Sequence, residues 1–312
     1  MEIPYVSVVV CAYNEAGNSL PLIGQLNQAL ELLDYEIIYV NDGSTDQTLA
    51  ELRSSPHERL TILDLQKNYG QSLALAAGIE LAQGQFIVTM DGDQQNDPAD
   101  IIPMLEVAEA RDVDLVMGIR TNRQDGFLLR RLPSQLANAL IRALLGVRVD
   151  DYGCGLKVFR AELAKNLGLY GELHRFIPVL AHLQGARLAQ IPVRHHPRRI
   201  GQSKYGLGRT FRVLSDLILL LFLKKYLRKP MHLFGGIAFF LLVCGLGLAI
   251  YSLFSTLSTA TEGRSIGLAG IMLVVAGLQF LAFGLLAELQ MRTYYESQGQ
   301  KPYKIRRIYR NE

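Results

Sequence analysis

The residues best suited to chemistry stand where apolar runs end. Asp91-Gly92-Asp93 follows the run Phe86–Met90, with Gln95 two residues further on. Two carboxylates separated by one small residue can set hard oxygen atoms around one divalent cation beside a diphosphate. All-oxygen ligation selects Mg2+ or Mn2+ over zinc. An isolated D-x-D often does no more than cap a helix, and Asp97-Pro98 just beyond has that form, an N-cap with Pro at the first helical position. At the end of a buried strand, the metal role takes precedence for Asp91 and Asp93. Asn41-Asp42-Gly43-Ser44-Thr45-Asp46 closes the run Glu36–Val40. There Asp42 is placed to accept hydrogen bonds from a nucleobase or ribose, Gly43 permits a tight turn, and Ser44–Asp46 read as a turn and helix cap. Ala12-Tyr13-Asn14-Glu15 follows Val6–Cys11, offering Tyr13 as a ring to pack on a base and Glu15 as a carboxylate for ribose.

The elements that must hold these groups are legible from periodicity. Val6–Cys11, Glu36–Val40, Leu60–Leu65 and Phe86–Met90 are short, β-branched and nearly unbroken apolar runs, which suits strands covered on both faces. Helical patterns lie between them at about Ser19–Leu33, Thr45–Arg53 and Gly70–Ala82. Alternation at βαβ spacing predicts a doubly wound, mostly parallel sheet, and such sheets bind ligands at the carboxyl ends of their strands. A further strand over Asp114–Ile119 ends at Arg120. Beyond Arg160, a helix near Arg175–Gln184 and a strand near Arg187–Val193 precede the basic stretch Arg194–Lys204.

The character of the chain changes after Tyr205. Leu233–Phe254 and Ile266–Ala287, 22 residues each, contain no charged side chain. At 1.5 Å per residue each crosses a hydrocarbon core of about 30 Å. Lys224, Lys225, Arg228 and Lys229 flank the first run, and Lys301, Lys304, Arg306, Arg307 and Arg310 follow the second. Only Glu262 and Arg264 lie between them. The positive-inside tendency therefore places both long ends in the cytoplasm and the Ser255–Ser265 loop outside. Residues 206–230, with Leu217–Leu223 apolar almost all round between basic ends, read as an interfacial helix rather than part of a helical hairpin. The expected organisation is a catalytic domain over 1–205, a juxtamembrane helix over 206–230, two spans within 231–290 and a basic tail over 291–312. A net charge of +3 gives no footprint for nucleic acid, and three scattered cysteines give no disulfide framework. The start lacks the basic and apolar regions of a cleavable signal peptide.

With the strand-end motifs in place, the chain resembles the family 2 glycosyltransferases of GT-A fold. Lys67-Asn68-Tyr69-Gly70-Gln71, Asp151-Tyr152-Gly153-Cys154-Gly155, Arg175-Phe176-Ile177-Pro178 and Arg198-x-x-Gly201-x-Ser203-Lys204-Tyr205 are similar to the polyisoprenyl-phosphate branch. The two spans and the Lys301-Pro302-Tyr303 tail add to the likeness. The resemblance implies inverting transfer of a sugar from a nucleotide donor to a polyisoprenyl (undecaprenyl) phosphate at the cytoplasmic face of a bacterial membrane, with Mg2+ or Mn2+ as cofactor. It implies a donor site of Ala12, Tyr13, Glu15, Asp42, Lys67, Gln71 and Asp91, with metal held by Asp91, Asp93 and Gln95. It assigns the acceptor phosphate to Arg120, to Arg130 or Arg131, and to Arg198, Ser203 and Lys204. Asp93, Arg120, Arg131 and Arg198 carry the catalytic roles. The partners expected are the nucleotide sugar, the lipid phosphate and the membrane, with a second copy of the chain left open. His174, His195 and His196 read as binding or structural groups, and Cys154 as a packing residue. Gly155-Leu156-Lys157 departs from the aminoarabinose-transferase pattern, and the donor sugar is left open. Two other readings are weaker. A processive polysaccharide synthase would carry a Gln-x-x-Arg-Trp motif, and this chain has no tryptophan. A sugar-nucleotide sensor would lack some of the metal and acceptor residues, and these are present.

Overall fold

The computed structural model describes residues 3–120, 146, 147, 149–197, 222, 225, 226, 229–256 and 262–297. The chain divides into two compact units, Met1–Leu217 and Ile218–Glu312.

In the first unit the apolar runs become strands because each can be covered on both faces. β1 (Val6–Ala12), β2 (Tyr35–Asn41), β3 (Leu60–Asp64) and β4 (Phe86–Asp91) alternate with α1 (Ser19–Leu30), α2 (Thr48–Ser54) and α3 (Gln71–Leu81). Val6, Val8, Val9, Val10, Ile37, Ile38, Ile87 and Val88 are fully buried, as expected for central strands of a parallel sheet. α4 (Ile101–Ala110), β5 (Leu115–Arg120), β6 (Lys157–Arg160), α5 (Ala161–Lys165), α6 (Ile177–Leu183) and β7 (Leu188–Val193) complete the unit. A 3-10 turn, Leu173–Phe176, takes the first part of the expected Arg175–Gln184 helix because Pro178 fits only the first turn of α6.

The seven strands run in the order β3-β2-β1-β4-β6-β5-β7. The sheet is parallel except for β6, which is antiparallel to both β4 and β5. Chain order reverses between β1 and β4, the place where open α/β sheets bind ligands. Four strands each run one residue further than their apolar runs, so Ala12, Asn41, Asp91 and Arg120 are themselves the last strand residues. Ala12 pairs with Asn41 and Cys11 with Asp91, which aligns these ends along one edge. The reversed direction of β6 delivers its first residue, Lys157, to the same edge, opposite Thr89 and Met117.

The second unit holds α7 (Pro230–Thr256) and α8 (Glu262–Ser297). Their apolar portions, Pro230–Ser255 and Ser265–Met291, have mean hydropathies of 2.5 and 2.3 and are long enough to cross a membrane. The helices outrun the 22-residue runs and take in both ends of the expected Ser255–Ser265 loop. They pack against each other through glycine: a Cβ on Gly245 would lie 2.8 Å from the Gly270 carbonyl oxygen, and one on Gly270 2.8 Å from the Ala249 nitrogen. Side chains such as Phe239, Phe240, Ile250, Leu268, Met272 and Leu286 face outward. Almost all of 206–228, including Leu217–Leu223 apart from Phe222, lies outside the described residues.

Candidate active site

The site is assembled from the ends of β1, β2, β4 and β5 and from the segment entering β6. β4 places Asp91 at the edge, and the next two residues form a turn with Asp93 buried to 7% exposure. Asp93 Oδ1 accepts from the Gln95 amide at 3.2 Å, and Gln94 holds a left-handed φ of 58°. Non-glycine residues seldom adopt this conformation, and those that do cluster at functional sites. Asn14 after β1 is a second case, with φ 53°; its side chain accepts from the Thr45 amide at 2.8 Å, and its own amide donates to Ser44 Oγ at 2.9 Å. The loops after β1 and β2 are thereby tied together.

Asp42 is 3% exposed and acts first on its own chain. One carboxylate oxygen accepts from the Tyr69 amide at 2.8 Å, the other from the Gly70 amide at 3.0 Å. Asp42 thereby fastens the Lys67–Gly70 loop, with two of its four acceptor positions engaged in doing so. The fastening needs Gly43, whose φ is +64° and whose added Cβ would lie 2.3 Å from the Lys67 carbonyl carbon. Fixing that loop fixes Gln71, whose Nε2 donates to Asp91 Oδ1 at 2.6 Å. Lys67 itself lies over the Tyr69 ring, 5.2 Å from its centroid.

Tyr13 is half-buried beside these loops. Glu15 is buried; its carboxylate accepts from Asn18 Nδ2 at 2.8 Å, and its backbone amide donates to Thr48 Oγ1 at 2.9 Å. α2 begins at Thr48 rather than Thr45, where Asp46 Oδ1 accepts from the Thr48 amide at 3.0 Å. Asp97 caps the turn at Pro98 as expected, accepting from the Ala99 amide at 3.0 Å.

Arg120 departs most from the sequence reading. Its Nε and Nη2 donate to the two carboxylate oxygens of Asp151, each at 2.7 Å. Its backbone amide reaches the same carboxylate at 3.2 Å, and the Gly153 amide does so at 3.0 Å. These four bonds occupy the acceptor capacity of a carboxylate, which makes Asp151 an anchor and not a proton acceptor. The fork leaves the other edge of the guanidinium for any further acceptor. Burial opposes its charge, and the Asp151 carboxylate outweighs that, raising its pKa. Gln95 is tied to the strand exit: its Nε2 donates to the His196 carbonyl at 3.4 Å and its backbone carbonyl accepts from the His196 amide, bonds that do not use its Oε1, the atom that would meet a cation. Arg130, Arg131, Arg198, Ser203 and Lys204 lie outside the described residues.

Two readings of bystander residues agree with the structure. His174 is bound to Ser72 through both its ring and its amide, at 2.9 and 3.0 Å. Cys154 is buried, and burial raises its thiol pKa. Cys11 lies beneath Asp91 and Asp42; burial, then those carboxylates, hold its thiol well above the usual range.

The sequence reading noted Lys157 only within Gly155-Leu156-Lys157 and gave neither it nor Thr89 a role in the site. Lys157 is 4% exposed, and its Nζ donates to the Cys154 carbonyl. Burial pushes its pKa down against the pull of Asp91 and Asp151. Thr89 Oγ1 donates to the next carbonyl, that of Gly155, at 3.0 Å. A lone lysine inside the apolar run Leu156–Phe159 was the available signal, because an unaccompanied charge in a buried strand demands a partner.

Whether the residues fit a divalent cation is a question of donor chemistry. Asp91 and Asp93 offer only carboxylate oxygen, and no group of three or more His, Cys, Asp or Glu side chains suited to a metal occurs among the described residues. Two carboxylates alone suit Mg2+ or Mn2+, which keep water and substrate phosphate among their ligands, and do not suit zinc.

An α/β sheet with an acidic pair at its switch-point edge offers a candidate ligand site, and the comparisons give the family. Residues 7–168, more than half of the chain, match the model of glycosyl transferase family 2. A dodecaprenyl-phosphate galacturonate synthase from Rhizobium johnstonii is 40% identical, over 97% of this chain and 93% of its own length. An undecaprenyl-phosphate 4-deoxy-4-formamido-L-arabinose transferase from Edwardsiella ictaluri is 33% identical, over 99% and 95%. Among solved structures, a Mycobacterium tuberculosis glucosyl-3-phosphoglycerate synthase crystallised with Mn2+, uridine diphosphate and glucosyl-3-phosphoglycerate shares the fold. Its TM-score is 0.55 and its identity 20%, over 71% of this chain and 80% of that one. The chain belongs to glycosyl transferase family 2.

Proposed function

We propose that this enzyme transfers a sugar from a nucleotide donor to a polyisoprenyl phosphate at the cytoplasmic face of a bacterial membrane, with inversion at the anomeric carbon. The observation that carries this reading is the full-length likeness, span-length helices included, to two transferases named for polyprenyl-phosphate acceptors. The site chemistry supports it. A phosphate monoester has a second pKa of about 6 and is a nucleophile without help, so the engagement of all four acceptor positions of Asp151 costs the reaction nothing. What the protein must supply is positioning and charge compensation.

In this reading the loops carrying Tyr13, Glu15, Asp42 and Lys67 bind the nucleoside, and Gln71 orients Asp91. Asp91 and Asp93 would hold Mg2+ or Mn2+, which when bound neutralises charge on the departing diphosphate. Arg120, set by Asp151, faces the phosphates, and Arg130 or Arg131 together with Arg198, Ser203 and Lys204 bind the acceptor. Residues 206–230 would lie along the bilayer surface, α7 and α8 would cross it, and the basic tail would return to the cytoplasm.

The test is a screen of radiolabelled nucleotide sugars with purified protein, undecaprenyl phosphate and Mn2+, following label into the organic phase. Transfer from one donor establishes the reaction and names the sugar. Nucleotide binding without transfer from any donor would sink the reading in favour of a sensor.

A further inference from the structure

The mechanism above gives no task to a lysine buried under its metal-binding carboxylate. We infer that Lys157 is a positioning residue for the divalent-cation and donor-diphosphate site, acting through the Cys154–Gly155 peptide that it holds against Asp91. The inference rests on the proposed glycosyl transfer only in taking Asp91 as a cation ligand.

Three observations carry it. First, the Asp91 carboxylate has a wall on each side. Gln71 Nε2 binds Oδ1 at 2.6 Å, and Gly155 closes the other side so tightly that an added Cβ would lie 2.3 Å from Oδ2. Second, the Gly155 wall is pinned by two donors on successive carbonyls, Lys157 Nζ on Cys154 and Thr89 Oγ1 on Gly155. Thr89 and Lys157 are register partners across β4 and β6, so the two pins come from rigid strands. Third, the same segment holds Arg120 at its other end, through Asp151 and the Gly153 amide. The stretch from Asp151 to Lys157 thus fixes one carboxylate and one guanidinium relative to each other. An uncharged core residue at 157 would fill the space but leave the Cys154 carbonyl without its donor. A buried acceptor without a partner shifts toward one, and Gly155 would follow. Groups that orient a metal ligand from behind govern affinity by that route.

The experiment compares Lys157→Met, Lys157→Arg and Thr89→Val in the full-length protein. Mn2+ binding is read by electron paramagnetic resonance on protein without donor, and transfer is read separately with the donor found by the screen. Loss of a ligand-orienting partner predicts Mn2+ binding weakened about 10–100-fold in Lys157→Met, with a smaller loss in Lys157→Arg and in Thr89→Val. The donor KM should rise in parallel with the loss of Mn2+ binding. Unchanged Mn2+ binding in Lys157→Met, with a lowered Tm as the sole effect, would make Lys157 a core lysine and overturn the inference. Should Lys157→Met fail to fold, Thr89→Val decides: it removes one pin, and Mn2+ binding equal to wild type overturns the inference as well. A wild type that binds Mn2+ yet transfers from no donor ends the proposed function instead, and the Mn2+ titrations still judge Lys157.

Discussion

Arg120 and Asp151 show how one carboxylate can be excluded from acid–base work by its own hydrogen bonds. Side chains this buried, 13% and 9% exposed, leave a costly orphan when one partner is removed. Asp151→Ala should therefore lose about 3–5 kcal/mol of stability, read from denaturant unfolding in detergent. Its transfer rate should stay low at every pH, because misplacement of Arg120 is not repaired by titration; recovery at alkaline pH would mark Asp151 as a base. Asp46 gives a pH test of a different kind. Burial acts against its ionised form, but hydrogen bonds from Thr48 and the Ala16 amide prevail and lower its pKa below 3.8. A depressed folded pKa contributes stability above the unfolded value and loses it as pH falls through the folded one. The difference in Tm between wild type and Asp46→Asn should thus be full at neutral pH and shrink below pH 3.8. A difference independent of pH would assign the effect to shape and not charge.

At the scale of elements, two glycines in loops at one edge of the sheet predict opposite phenotypes. The three atoms nearest a Cβ at Gly155 all belong to the Asp91 carboxylate, the end of a side chain that can rotate away. Gly155→Ala should fold with a near-normal Tm, break the Gln71–Asp91 bond and lose transfer. Gly43 approaches main chain at Lys67 and Asn68 and sits at positive φ, where a left-handed residue alone costs about 1–2 kcal/mol. Gly43→Ala should lower Tm, and activity should follow the folded fraction. A Gly155→Ala protein with full activity would mean that Asp91 is held elsewhere. The same scale explains why β6 matters: a parallel strand in its place would carry Asp151–Lys157 to the far edge of the sheet, away from Asp91 and Arg120.

For the whole molecule, the two long helices of the second unit meet through backbone at Gly245 and Gly270 and expose most of their apolar surface. Exposed apolar area on this scale needs lipid or a partner. Gly270→Ile should force the hairpin apart, lowering thermal stability in detergent without changing the fold of the first unit. The proposed topology puts residues 257–261 outside. A cysteine at position 259, in a background lacking Cys11, Cys154 and Cys244, should react with an impermeant maleimide on intact cells. Reaction only after permeabilisation would reverse the orientation.

Local regularities in the sequence determined much of this protein. The apolar runs of β1, β2 and β4 and their polar ends follow from period and composition over a few residues, and the two span-length apolar helices from length without charge. Local pattern is therefore enough to put Ala12, Asp42 and Asp91 at the ends of strands. What those groups touch was decided only in three dimensions. Asp42 meets the amides of Tyr69 and Gly70, 27 and 28 residues away; Arg120 meets Asp151, 31 away; Thr89 meets Gly155, 66 away. Such pairings depend on strand order and on the reversed direction of β6, which non-local burial selects and no local period records.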